Sequence, residues 1–178
     1  MDMDEKIVST NQIYNGRVVN FAVHEVELPD GKRAKRELIR HPGAVAMVAL
    51  DDNNNVFMVR QFRIAAARVM FEIPAGTLNK DEEPLHCAER ELQEEIGYRA
   101  ASMEPLGGFF VAPGYTTEFI HLFLATGLSE SRLEADADEF IEVARFTLAE
   151  AIAMVERGEI VDGKTISGLL RVGRRLGV

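Results

Sequence analysis

The sequence predicts an α/β fold, with α+β as the neighbouring arrangement: one sheet packed with helices. Three observations predict it. Short apolar runs separated by turn signals fill the first half, a single helical period interrupts them, and strand-like runs return before two closing helices.

The elements follow in chain order. Ile7–Ile13 and Val18–Leu28 flank Asn15-Gly16, a strong hairpin turn. Asp30-Gly31 makes a second turn, and Arg33–Arg40 returns as another strand. His41-Pro42-Gly43 punctuates the chain before the apolar run Ala44–Leu50. Asp51–Asn55 is a loop, and Val56–Phe62 is a strand expected to pair with Ala44–Leu50. From Pro84 to Ile96 the period becomes helical, with Pro84 suited to the first turn and Gly97 to the position just past the end. Leu85, Ala88, Leu92 and Ile96 would form its buried stripe. Strands are expected at Leu106–Val111, Glu118–Ala125 and Phe140–Phe146, then helices at Leu148–Arg157 and Thr165–Leu176.

Composition bounds what such a fold can do. The chain has 178 residues, close to the ~100–150 of an ordinary domain. A formal net charge of −9 repels a phosphate backbone, so no nucleic-acid partner is expected. A small anionic substrate then needs local arginines or a metal ion. The one cysteine, Cys87, can form no intrachain disulfide, which fits a reducing compartment. The start Met-Asp-Met-Asp-Glu has no basic or apolar signal region. No apolar run approaches the ~18 residues of a membrane span. The expectation is a cytoplasmic protein without a membrane partner.

The chemistry concentrates between Gly76 and Tyr98. Glu91, Glu94 and Glu95 stand at i, i+3 and i+4, so a helix carries all three on neighbouring positions of one face. Like charges at that spacing cost ~0.2–0.5 kcal/mol each in an isolated helix. A cation over the cluster removes that cost, and a hard divalent ion such as Mg²⁺ prefers oxygen ligands of this kind. Gly76 precedes Glu82 with five residues between, and Glu82 precedes Arg90 with seven between.

That segment resembles the Nudix box, G-x5-E-x7-R-E-U-x-E-E-x-G-U, where U is a bulky aliphatic residue. Gly76, Glu82, Arg90, Glu91, Leu92, Glu94, Glu95 and Gly97 match, and Tyr98 departs at the last aliphatic position. The resemblance implies a Nudix fold, an α/β/α sandwich around a mixed sheet, here with an N-terminal antiparallel strand extension. It implies Glu91 and Glu95 as metal ligands, with Glu94 a further ligand or a water-positioning group. The backbone carbonyl of Ala75 would complete the metal sphere, and Glu82 and Arg90 would hold loop and helix in shape. The metal implied is Mg²⁺, with Mn²⁺ as the substitute.

Flanking segments resemble the ADP-ribose pyrophosphatase branch of that family. They are Arg36-Glu37-Leu38, His41-Pro42-Gly43-Ala44-Val45, Gln61-Phe62-Arg63, Glu72-Ile73-Pro74-Ala75-Gly76 and Ala112-Pro113-Gly114-Tyr115-Thr116-Thr117-Glu118. Pro113, sixteen residues after Gly97, goes with ADP-ribose in this family. Arg63 is the candidate for the diphosphate, because a guanidinium fork suits phosphate oxygens. Arg36 and Glu37 resemble residues that bind substrate from a partner subunit, which implies a homodimer built through residues 1–40, with residues 41–178 as the hydrolase domain. The expected reaction converts ADP-ribose and water to AMP and ribose 5-phosphate.

The catalytic base is left open. The family's late acidic loop reads Asp136-Ala137-Asp138-Glu139 here, with alanine where a glutamate often stands. Glu139 is the first substitute and Asp138 the second, while Glu94 or Glu118 would serve equally to order the water. Two rival functions stand beside the first: a pyrophosphatase for a GDP- or UDP-sugar, and a module that senses ADP-ribose without cutting it. Gly158–Thr165 fits G-x-x-x-x-G-K-T, yet a P-loop follows a buried strand, and the residues before Gly158 form an amphipathic helix. It is expected to be a helix–turn–helix junction. His24, His41, His86 and His121 show no zinc spacing.

Overall fold

The structure is a computed structural model, and it describes residues 3–134 and 140–178. The chain divides into two compact units. One comprises residues 1–43 and 110–119, the other residues 44–109 and 120–178.

The larger unit is built around β4 (Ala44–Leu50), whose seven residues are all buried. A strand covered on both faces reads as one continuous apolar run, and Ala44-Val-Ala-Met-Val-Ala-Leu50 is such a run. Beside it lie β5 (Asn55–Arg63), β6 (Arg68–Glu72) and β7 (Ala75–Thr77), followed by helix α1 (Pro84–Glu95). Then come β8 (Tyr98–Phe110), β9 (Phe119–Glu130), β10 (Glu142–Thr147), α2 (Leu148–Glu156) and α3 (Gly163–Leu176). Among the described residues the sheet runs β10-β5-β4-β9-β8, with β6 on β5 and β7 on β4. β4 pairs parallel with β9 and antiparallel with β5 and β7, so the sheet is mixed.

Side chains on successive strand residues point to opposite faces, and β4 uses both. Val45, Met47 and Ala49 pack with Cys87, Ala88, Leu92 and Ile96 of the α1 region. Ala46, Val48 and Leu50 pack with Leu148, Ala151 and Met154 of α2 and Leu169 and Val172 of α3. The result is the α/β/α sandwich that the resemblance implied. Gly97 has φ 77°, the left-handed turn past the helix end that glycine adopts without a Cβ clash.

The smaller unit carries a three-stranded antiparallel sheet in the order β1 (Lys6–Asn15), β2 (Asn20–Glu27), β3 (Arg33–Arg40). Segment 110–119 is tied to β3 by Ile39 N–H donating to the Tyr115 carbonyl at 2.8 Å and Thr117 N–H donating to the Ile39 carbonyl at 3.0 Å. Phe110 and Phe119 meet edge-on at 5.0 Å.

Several expectations shift. β6 and β7 stand where no strand was expected, and β8 begins at Tyr98 rather than Leu106. β8 ends the sheet order, and an edge strand tolerates Pro105 because its missing N–H needs no ladder partner. On α1, Leu85 is exposed and Cys87 is buried in its stead. The buried stripe runs through Cys87, Ala88, Leu92 and Glu95, which leaves Leu85 at its margin.

Candidate active site

The loop–helix segment from β7 through α1 brings the box side chains together around one guanidinium. Arg90 Nη1 donates to Glu91 and to Glu94, each at 2.7 Å. Its Nε and Nη2 donate to the two oxygens of Glu82 at 3.1 and 3.2 Å. Arg90 thus ties the loop before the helix to the helix itself. The hydrogen bond to Glu82, helped by Glu91 and Glu94, raises the already high Arg90 pKa. In return Arg90 pulls the Glu82 carboxyl down to about 2, with the Asn79 N–H also bonding to it.

Two further contacts place Glu95 and Glu91. Glu95 is buried, and its Oε2 accepts from the Ala75 N–H at 2.9 Å. A buried carboxylate needs such a donor, since burial without one is costly. Glu91 lies against Gly76, in the space that a side chain at residue 76 would take. Cys87 of the same helix is buried, and that burial is the main cause pushing its thiol up to about 12.

The donors that this segment offers a cation are all oxygen: Glu91, Glu94, Glu95 and the backbone carbonyls of the β7 strand. That chemistry fits a hard divalent ion. Among the described residues no three His, Cys, Asp or Glu side chains stand at metal-holding spacing. Arg90 pairs with Glu91 and Glu94, each at 2.7 Å.

Arg63, at the end of β5, is forked onto Glu72 of β6. Its Nε donates to Oε1 at 2.8 Å and its Nη2 to Oε2 at 2.7 Å. The Glu72 bond is the largest cause raising the Arg63 pKa, and the charges of Glu95 and Asp162 add to it. Arg63 therefore lies within electrostatic reach of the box helix. Burial alone pushes Glu72 up, but Arg63 and Lys164 outweigh it, and its pKa is lowered on balance.

Other expected residues lie in the smaller unit. Arg36 on β3 is exposed and bound to Glu5 at 2.5 and 2.9 Å, and Glu37 beside it is exposed. Pro113 is exposed in a turn closed by Tyr115 and Thr116 N–H groups donating to the Ala112 carbonyl. Glu118 N–H donates to Thr116 Oγ1. Asp136, Asp138 and Glu139 fall outside the described residues.

Sequence reasoning missed Glu72 as a partner of Arg63, and missed Lys164. Glu72 stood in the Glu72–Gly76 segment already noted, and Lys164 in the Gly158–Thr165 stretch. That stretch joins α2 to α3, with Asp162 capping α3 by accepting from Thr165 N–H at 3.0 Å.

Fold and cluster define the class: an α/β/α hydrolase whose acidic groups ride on one loop–helix segment. The NUDIX domain matches residues 40–168, and the chain belongs to the Nudix hydrolase family. Enzymes of this family generally use divalent metals. The chain is similar to an ADP-ribose pyrophosphatase of Bacillus subtilis, 46% identical over 92% of this chain and 89% of the relative. A methanol dehydrogenase activator of Bacillus methanolicus is equally similar, 46% identical over the same shares. A GDP-mannose pyrophosphatase of Citrobacter koseri is 37% identical over 75% of each chain. Among solved structures, an ADP compounds hydrolase superposes with a TM-score of 0.87 over 99% of this chain and 97% of its own, at 21% identity. That last likeness bears on the fold.

Proposed function

We propose that this enzyme hydrolyses the diphosphate of ADP-ribose to AMP and ribose 5-phosphate, with Mg²⁺ as its metal and Mn²⁺ as the substitute. The observation that carries the reading is how one helix holds its carboxylates: Glu91 and Glu94 share Arg90, and Glu95 is docked on the Ala75 N–H. Support for the substrate comes from the Bacillus subtilis relative, similar over nearly its whole length, and from Pro113.

Glu91, Glu94, Glu95 and the Ala75 carbonyl would hold the metal. Bound there, a divalent ion supplies charge neutralisation at the diphosphate and acidifies water. Arg90 keeps Glu91 and Glu94 together, and Glu82 keeps Arg90 in place. Arg63 binds diphosphate oxygens. Glu139 or Glu94 takes the proton of the attacking water. Pro113 and Glu118 contact the substrate, joined by the partner subunit's Arg36 and Glu37. The homodimer would form through residues 1–40, with residues 41–178 as the hydrolase. In its favour, β1 is exposed along its length, and Ile7, Val8, Ile13 and Tyr14 offer apolar surface to a second copy. Light scattering on the eluting protein reads the mass, and a monomer at micromolar concentration rejects the dimer. The lone cysteine fits the reducing cytoplasm.

A substrate panel tests the reading. ADP-ribose, a GDP-hexose, a UDP-hexose and diadenosine polyphosphates are compared by phosphatase-coupled phosphate release, with and without EDTA. ADP-ribose should lead in kcat/KM by about tenfold or more, a margin set by contacts to the distal group, and EDTA should stop the reaction. A leading GDP-hexose would move the assignment to the second reading, which the Citrobacter koseri relative favours. No release from any compound would leave a module that binds without cutting. The Bacillus methanolicus relative favours a reading of another class, activation of a dehydrogenase, checked by adding the protein to a methanol dehydrogenase assay.

A further inference from the structure

We propose that Glu72 is a positioning residue for Arg63: it grips two of the guanidinium nitrogens and presents the third to the diphosphate. The inference rests on the reading of Arg63 as the diphosphate's arginine.

The two side chains differ sharply in exposure. Arg63 is 44% exposed, whereas Glu72 is 1% exposed. An exposed arginine has many rotamers and loses that freedom when it binds a ligand. Here Nε and Nη2 are already fixed by both carboxylate oxygens at 2.8 and 2.7 Å. Nη1 is the nitrogen that Glu72 does not take. A fork held in this way meets a phosphate with little further ordering.

Glu72 is itself anchored. Lys164, 12% exposed, donates to Glu72 Oε2 at 2.5 Å and lies 3.0 Å from Asp162. Asp162 Oδ2 accepts from the Thr165 N–H and hydroxyl, and Thr165 Oγ1 accepts from Ile73 N–H at 2.9 Å. The first turn of α3 is thereby stitched to the strand end that carries Glu72. Lys164 already supplies Glu72 with a buried counter-charge, so neutralising Glu72 does not require Arg63. Well-packed apolar groups often stabilise a fold as well as a buried ion pair does. The geometry therefore points to the fork's use in holding Arg63.

The test is a cycle on ADP-ribose hydrolysis, with thermal melts alongside: wild type, Glu72→Gln, Arg63→Ala and the double variant. Arg63→Ala should raise KM about tenfold, the worth of a charge-assisted contact. Glu72→Gln alone should raise KM about fivefold while kcat moves less than about twofold, the signature of lost binding rather than lost chemistry. Added to Arg63→Ala, Glu72→Gln should change KM less than about twofold, since it acts through that side chain. Full additivity, or an unchanged KM in Glu72→Gln, overturns the proposal. An unchanged KM in Arg63→Ala shows instead that the diphosphate reading was wrong, and the inference goes with it. If Glu72→Gln does not fold, Arg63→Lys decides. Lysine keeps the charge but cannot fork, so KM should match that of Arg63→Ala, and a wild-type KM overturns the proposal.

Discussion

The Glu91 carboxylate fills the space that a Cβ on Gly76 would occupy. The box glycine and the box glutamate, fifteen positions apart, are one contact. Gly76→Ala must therefore push Glu91 out of place. We expect kcat/KM on ADP-ribose to fall about 100-fold, because ångström displacements of reacting groups cost that much. Steady-state rates at saturating Mg²⁺ check this, with circular dichroism confirming the fold.

Arg90 pairs with Glu82, Glu91 and Glu94 at once, one positive charge against three negative ones. Replacing it by methionine leaves three carboxylates facing each other across partly buried surface. The expected loss is about 2 kcal/mol in urea unfolding, below the cost of a fully buried pair because Arg90 is 28% exposed. Added Mg²⁺ should restore stability more in Arg90→Met than in wild type, since a cation is then what the cluster lacks.

Acid should act through Glu82, whose carboxyl is held at about 2 against an ordinary 4.5. A depressed carboxylate stabilises the fold fully above its unfolded pKa, and that contribution disappears as pH falls through the folded one. The gap in unfolding free energy between wild type and Glu82→Gln should be constant above pH 4.5 and shrink toward pH 2. Urea titrations across that range measure it, and a gap that widens on acidification contradicts the pairing.

Tyr98 departs from the aliphatic residue of the box pattern, and its ring lies 4.8 Å from that of Phe57. Arg145 stands over the other partner, 4.3 Å from the Phe57 centroid. The contact is a packing one. Tyr98→Leu gives up the ring pair with Phe57 and should cost about 1–2 kcal/mol and leave kcat unchanged.

Much of this was legible because it is local. The apolar run Ala44–Leu50 and the spacing from Pro84 to Ile96 each announce their element within a few residues. The carboxylate cluster is written in one helix turn. β7 is three residues long and has no period to detect. The early part of β8 carries Ala100, Ala101, Ser102 and Pro105, weak strand formers that hold only because β9 pairs them. Glu72 and Lys164 are 92 positions apart, so their pairing exists only after the sheet and α3 have met.

If the box carboxylates carry a divalent ion and, through it, the reaction, then turnover of ADP-ribose must collapse in Glu95→Gln even at saturating Mg²⁺. We predict a fall of about 100-fold or more, the usual effect of losing a group that acts on the reacting phosphate, with an unchanged melting profile. Turnover within about twofold of wild type, a difference too small to be transition-state stabilisation, would mean that the reaction does not run through this helix.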